Sequence, residues 1–420
     1  MAERSPSGAL MALLMRSKLF LVLLIICFLP VSAAAGTITE TQGSSSGLND
    51  PGVIHLYRPE AGSIHSATIN DIINGPHGEV IFATTFGLSV YNGSWSTRHI
   101  NRDNFSMGLM DDYVTALEYD NAGNLWIGFA GGIQVYDGHV YTLIRDQDLL
   151  KSLRIKDFQR WNDDMWVSTG NAALHRYNNG TWTWFTPYSR NGPGFYEADS
   201  LALDPAADIL FAATEKEGLW EVTTTDDTVN FKKIQDPGDP FGLLGHVRRD
   251  PLGGVFFYNA SQVVHYDPGN GFTPIVSIND ISGGGAYAIN DVAGSPKGAV
   301  YVATDNGIYV WENDRITSHL SAFEGFGTTQ GVDTVFYDAR DRLWFATHDD
   351  VGYYADEKST ESRIAFNKET PTLSPTTGHA LVTISPSQTP GEIPQQSSPS
   401  ILDQIYRFLS GLFPFIPASH

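Results

Sequence analysis

The sequence predicts an all-β protein, a seven-bladed β-propeller of four-stranded antiparallel blades, and three observations predict it. Hydrophobic residues make up 42% of the chain and aromatics 12%, against only 17% charged, which supplies a large core to short strands. The 41 glycines mark frequent turns. Above all, one segment recurs seven times: an apolar strand, a turn with Asp or Gly, a strand rich in Trp, Phe or Tyr, a glycine turn, and a third strand ending in Tyr.

In chain order, residues 1–35 read as a secretory signal. Arg16 and Lys18 precede an apolar run from Leu19 to Leu29, and Val31-Ser32-Ala33-Ala34-Ala35 supplies the small-residue cleavage site. Translation from Met15 would give the signal its usual proportions. The apolar run is shorter than the ~20 residues of a spanning helix. The only cysteine, Cys27, lies inside it and follows no lipobox, so the exported chain has no thiol. Cysteine nucleophiles, zinc–thiolate sites and iron–sulfur clusters are thereby excluded. Residues 36–52 are expected to be a flexible N-terminal segment. The formal charge of −21 becomes −23 once Glu3, Arg4, Arg16 and Lys18 leave with the signal. Such acidity argues against nucleic acid as a partner.

The propeller is assigned to residues 53–366. The apolar residue opening the second strand of each copy falls at Val80, Leu125, Met165, Ile209, Val255, Val300 and Leu343, with spacings of 45, 40, 44, 46, 45 and 43. Four short strands fit in each repeat, which is the size of a propeller blade. A blade alone leaves both faces uncovered, so seven must close into a ring. Trp126, Trp166, Phe211, Phe256, Tyr301 and Trp344 recur just after the ruler position and are read as inter-blade core. Closure assigns Val53-Ile-His-Leu-Tyr-Arg58 to the last blade, with Arg363-Ile-Ala-Phe366 competing for the place.

The stretches Asp120-Asn-Ala-Gly-Asn-Leu-Trp-Ile-Gly128 and Asp341-Arg-Leu-Trp-Phe-Ala-Thr347 resemble the two-component regulator propeller repeat. So do Val300-Tyr-Val-Ala-Thr-Asp-Asn-Gly-Ile-Tyr-Val-Trp311 and Ile81-Phe-Ala-Thr-Thr-Phe-Gly-Leu-Ser-Val-Tyr91. The likeness is strongest in copies one, two, six and seven and fades in copies three to five. Streptogramin lyases carry related strands. The resemblance implies an extracellular ligand-binding domain of the kind often followed by a membrane span and a histidine kinase. Nothing between residues 366 and 420 has the size of a kinase or of a full span, so this chain is expected to sense without signalling directly.

Behind the propeller, residues 367–400 are rich in Pro, Ser and Thr and are expected to form an extended linker. In the tail, 401–420, Ile401, Leu402, Ile405, Phe408, Leu409 and Leu412 recur at helical spacing. About 13 residues of helix span only ~20 Å, too short for a bilayer. Residues 401–413 are therefore read as docking onto a partner or a membrane surface, or as packing back on the propeller. Asn-x-Ser/Thr triplets begin at Asn92, Asn104, Asn179 and Asn259.

Propeller ligands meet the face formed by the loops that lead from one blade into the next, here 102–113, 145–154, 188–198, 235–245, 277–288 and 321–331. From these loops Phe105, Tyr188, Arg190, Phe195, Tyr196, Phe241 and Phe326 are candidates. The second-to-third-strand turns on the same face add Phe86, Asp305 and His348. A register of the innermost strand places polar residues at Asn70, Thr115, Lys156, Asp199, Asn290 and Asp333, a collar from which Asp199, Asn290 and Asp333 are candidates. Backbone capping is the alternative account of that collar. The run His348-Asp349-Asp350 is the densest ligand-like cluster, but calcium needs six to eight oxygen positions and no looped Asp-x-Asp-x-Asp-Gly motif occurs. No cofactor is expected, and Ca²⁺ is the ion to test.

Catalytic motifs are missing: no Gly-x-Ser-x-Gly elbow, no HExxH helix, no phosphate-binding glycine loop. The expectation is a secreted or cell-surface monomer that binds a small molecule, glycan or protein. A propeller lyase or hydrolase acting on carbohydrate or lactone, and a structural envelope scaffold, are the alternatives.

Overall fold

The computed structural model describes residues 39–42, 52–214, 216–225, 228–234, 245–281, 285–321 and 331–356. The expected signal peptide, linker and tail, and Arg363–Phe366, lie outside the described residues. Seven antiparallel sheets follow one another along the chain, each running from an innermost to an outermost strand. The innermost strands are Ile69–Asn74, Val114–Tyr119, Ile155–Trp161, Ser200–Asp204, His246–Arg249, Ile289–Gly294 and Thr334–Tyr337, in blades 1 to 7. A single turn of helix, Ile278–Ile281, precedes blade 6.

The ruler residues each open a second strand or sit one residue inside it. That strand is sandwiched between two others and two neighbouring blades, which is why it reads as an apolar run. Seven separate apolar clusters result, one between each pair of adjacent blades. The recurring aromatics cross these boundaries. Trp126 meets Phe158 and Tyr177 of blade 3, Phe211 meets Tyr266 of blade 5, and Trp344 meets Phe82 and Tyr91 of blade 1.

The ring closes through Gly52–Tyr57, which pairs antiparallel with Val351–Asp356 and becomes the outermost strand of blade 7. First and last parts of the chain thus share one sheet. Tyr57 reinforces the closure by bonding Tyr91 of blade 1 across 2.9 Å. Thr39–Gln42, expected within a flexible segment, instead pairs with Val53–Leu56 as a fifth strand. It covers an edge whose N–H and C=O groups would otherwise lie unpaired.

This connectivity gives the ring two unlike faces. The upper face carries the blade-to-blade connections and the second-to-third-strand turns. The lower face carries the other two turns of each blade.

Candidate functional site

The channel begins with an irregularity of the innermost strands. Their pairing with the second strand skips a residue at Asn70, Thr115, Lys156 and Asn290. Each is a β-bulge, which re-aims side chains that strict alternation would send to opposite faces. As a result Asn70 and Asp71, Lys156 and Asp157, and Asn290 and Asp291 all line one central cavity of about 220 Å³.

The upper tier is the polar collar, in which the candidates Asp199, Asn290 and Asp333 come together. Asn70 Nδ2 donates to the carbonyl of Val114 and Asn290 Nδ2 to that of Val332, each tying its blade to the next. Lys156 Nζ lies 2.8 Å from both Asp199 and Glu197, so Asp199 is neutralised in place. Asp333 faces the channel mouth, and burial raises its pKa against the opposing effect of nearby His348.

The second tier, Asp71, Asp157, Asp291 and Arg248, escapes a reading by strict alternation. Its signal is an Asp directly after the bulge residue in blades 1, 3 and 6. Each carboxylate accepts from the next N–H of its own strand and from the neighbouring blade. Asp71 takes Ile72 and Leu117, Asp157 takes Phe158 and Leu201, and Asp291 takes Val292 and Val335. Ser200 Oγ does the same for the Val247 N–H. Arg248 Nε and the Tyr258 hydroxyl both donate to Asp291 Oδ1, at 3.1 and 2.7 Å. Burial raises Asp71 above the ordinary carboxylate range. Burial and the charge of Asp71 together push Asp157 up to about 8, and its own hydrogen bonds only partly offset them.

The loops of the upper face carry exposed aromatics. Tyr188 is 85% and Tyr287 82% exposed, and Phe86, Tyr113 and Tyr196 are also open to solvent. The Tyr188 and Tyr196 rings meet edge to face with their hydroxyls 2.9 Å apart. Asp305 holds the loop below Tyr287 by accepting the N–H groups of Tyr287 and Ala288. Phe86 lies 5.1 Å from the ring of His99, which in turn bonds His65. Among the described residues, the large apolar side chains exposed on the lower face are Val140 and Leu252, neither of them aromatic.

Buried polar residues of the third strands anchor two of the upper loops. Gln134, fully buried, donates to the carbonyls of Phe105 and Gly108 and accepts the N–H of Met110. His175 accepts the N–H of Lys151 at 3.0 Å, and burial lowers its pKa to about 4, which keeps it a neutral acceptor.

Several candidates fall elsewhere. Phe195 is 1% exposed and packs edge-on against Trp220, so it belongs to the core between blades 3 and 4. Phe105 is half-buried and offers its carbonyl to Gln134. Arg190 is exposed beside the tyrosine pair in sequence. Phe241 and Phe326 lie outside the described residues. The cluster at 348–350 is split: His348 and Asp349 are exposed, while Asp350 is buried against Arg58 at 3.3 Å. Among the described residues no three His, Cys, Asp or Glu converge as metal ligands.

Residues 108–131 match the two component regulator propeller family. Compared by sequence, no curated protein matches the chain. Among solved structures, the extracellular domain of a hybrid two component system from B. thetaiotaomicron is similar at 18% identity, with a TM-score of 0.57 over 71% of this chain and 39% of that one. A second such domain from the same organism gives 14% identity and a TM-score of 0.57 over 70% and 40%. The chain thus spans about two fifths of the length of these sensor domains. A streptogramin B lyase is similar at 14% identity and a TM-score of 0.54, over 72% of this chain and 98% of the lyase. At these identities the likeness concerns the fold.

Proposed function

We propose that the chain is an exported, sensor-like propeller that binds a small molecule, glycan or protein on its upper face. The observation that carries this reading is the confinement of exposed aromatic loop residues to that face, the face into which the blade-to-blade loops lead. Exposed rings cost solvation, and a patch of them rimmed by polar groups is the usual mark of a binding surface. The likeness to extracellular sensor domains supports the export and the sensing role. Among the described residues no helix is long and apolar enough to cross a membrane. Docking through residues 401–413 and action as a monomer belong to the same proposal.

Binding is favoured over lyase or hydrolase chemistry by what the channel acids do. Asp71, Asp157 and Asp291 each hold two backbone N–H groups, which makes them ties between blades. The test is a thermal-shift screen of glycans, peptides and Ca²⁺ on three proteins: wild type, a Tyr188→Ala/Tyr287→Ala double variant, and the lower-face variant Leu252→Ser. Ligands that stabilise the wild type should lose their effect in the tyrosine variant and keep it in Leu252→Ser. The opposite pattern would overturn the assignment of the face.

A further inference from the structure

A second cavity, about 590 Å³ in volume, opens between the outer edges of blades 1 and 2. Its walls include Arg98, His99, Arg102, Asp103, Gly108 and Tyr141. The loop that builds it is fixed: the Asn101 N–H donates to the carbonyl of Leu109, the Leu109 N–H to that of His99 and the Tyr141 N–H to that of Ser106, and Gln134 pins the return strand. Gly108 is required for the fold-back, since a Cβ there would sit 2.5 Å from that of Asn101.

Two guanidinium groups face this groove. Arg98 is held with its cation 4.7 Å over the Tyr136 ring while Nη1 donates to the Tyr141 hydroxyl at 3.0 Å. Neither contact neutralises it, and its remaining donors stay available. Arg102 is exposed on the facing loop. Among the described residues neither arginine pairs with a carboxylate. Asp103 supplies the one opposing charge, so the groove is net positive in a chain of formal charge −21.

We propose that this groove binds an anion, the carboxylate, sulfate or phosphate-ester group of a small ligand. Arg98 is the preorganised donor. Its ring contacts fix the orientation of its fork before the anion arrives, which removes part of the ordering cost of binding. Arg102 adds a second charge from the loop. The site is separate from the aromatic rim and does not depend on it.

The test is calorimetric titration of the full chain at low salt with inorganic sulfate, glucuronate and glucose 6-phosphate. Saturable one-to-one binding of at least one anion is expected, and the anions that bind identify the group carried. Arg102→Met should weaken it about tenfold or more, Arg102→Lys less, and Asp103→Asn should tighten it. Arg145→Met, an exposed arginine outside the groove, and Tyr188→Ala/Tyr287→Ala should leave it unchanged. Arg102 is exposed, so its loss tests the site without threatening the fold; Arg98→Met is the second variant and should also lose binding. Absence of saturable binding by all three anions, or equal affinity in wild type and Arg102→Met, overturns the proposal.

Discussion

The Asp338 carboxylate accepts the indole N–H of Trp344, six residues on, at 2.9 Å. Its other oxygen receives the backbone N–H groups of Arg340 and Arg342. Asp120 repeats the arrangement with Trp126 at 3.1 Å and with the N–H groups of Ala122 and Asn124. One Asp thus shapes the turn and satisfies the aromatic that packs between blades, which explains why the two residue types recur together. In blade 3 the corresponding position is Arg160, and among the described residues the buried Trp166 Nε1 has no hydrogen-bond partner.

Trp344→Phe and Trp126→Phe should therefore cost about 1.5–3 kcal/mol more than Trp166→Phe, the range for a hydrogen bond to a charged group. The cavity left by the smaller ring is common to all three buried positions, and at Trp166 the donor removed is already unsatisfied. Urea unfolding of the three variants measures this. Equal losses at all three positions would contradict the role given to the Asp–Trp pair.

Closure by Gly52–Tyr57 carries a larger penalty. Removing residues 50–60 strips blade 7 of its outermost strand and exposes the edge of Val351–Asp356. The melting temperature should fall sharply, and Tyr57→Phe alone, which removes the bond to Tyr91, should cost about 0.5–1.5 kcal/mol. An unchanged melting temperature in the deletion would show that another segment closes the ring.

Asp157 makes stability depend on pH. Its folded pKa of about 8 lies above the ordinary carboxylate value of about 3.9. Between those limits the native state binds more protons than the unfolded chain, so this contribution is full below pH ~4 and is lost as pH rises through about 8. Asp71→Asn removes the neighbouring charge that helps raise Asp157 and should make the decline shallower. Chemical denaturation at pH 5, 7 and 9 compares the two proteins, and a stability difference independent of pH would sink the assignment.

Gln134→Ala should release the loop over residues 99–110. The variant leaves the Met110 N–H and the carbonyls of Phe105 and Gly108 without their buried partner, a loss of about 2–4 kcal/mol for several such groups. Hydrogen exchange at Met110 is the direct measure. Protection equal to wild type would mean that the loop is held by other contacts.

The ring was legible in the sequence because second strands are buried on all sides and repeat at a near-constant interval from Val80 to Leu343. The closing strand was legible because Val53–Tyr57 supplies the outer strand that blade 7 lacks. The channel was half legible: the collar at Asn70, Lys156 and Asn290 stood out, whereas Asp71, Asp157 and Asp291 were hidden by the rule of alternation that the bulges break. Phe195 illustrates a different limit, since loop aromatics that tuck into the core and those that stand in solvent, such as Tyr188, look alike in sequence. The separation of Asp350 from His348 and Asp349 likewise depends on Arg58, nearly 300 residues away in the chain.

The central claim, that ligands meet the aromatic upper face, is tested most directly by ¹⁹F NMR of protein labelled with 3-fluorotyrosine. Each compound whose stabilisation of the chain is lost in the Tyr188→Ala/Tyr287→Ala variant should move the resonances of Tyr188, Tyr196 and Tyr287 and leave that of buried Tyr91 in place. Saturating ligand that leaves all three rim tyrosines unmoved would contradict the account.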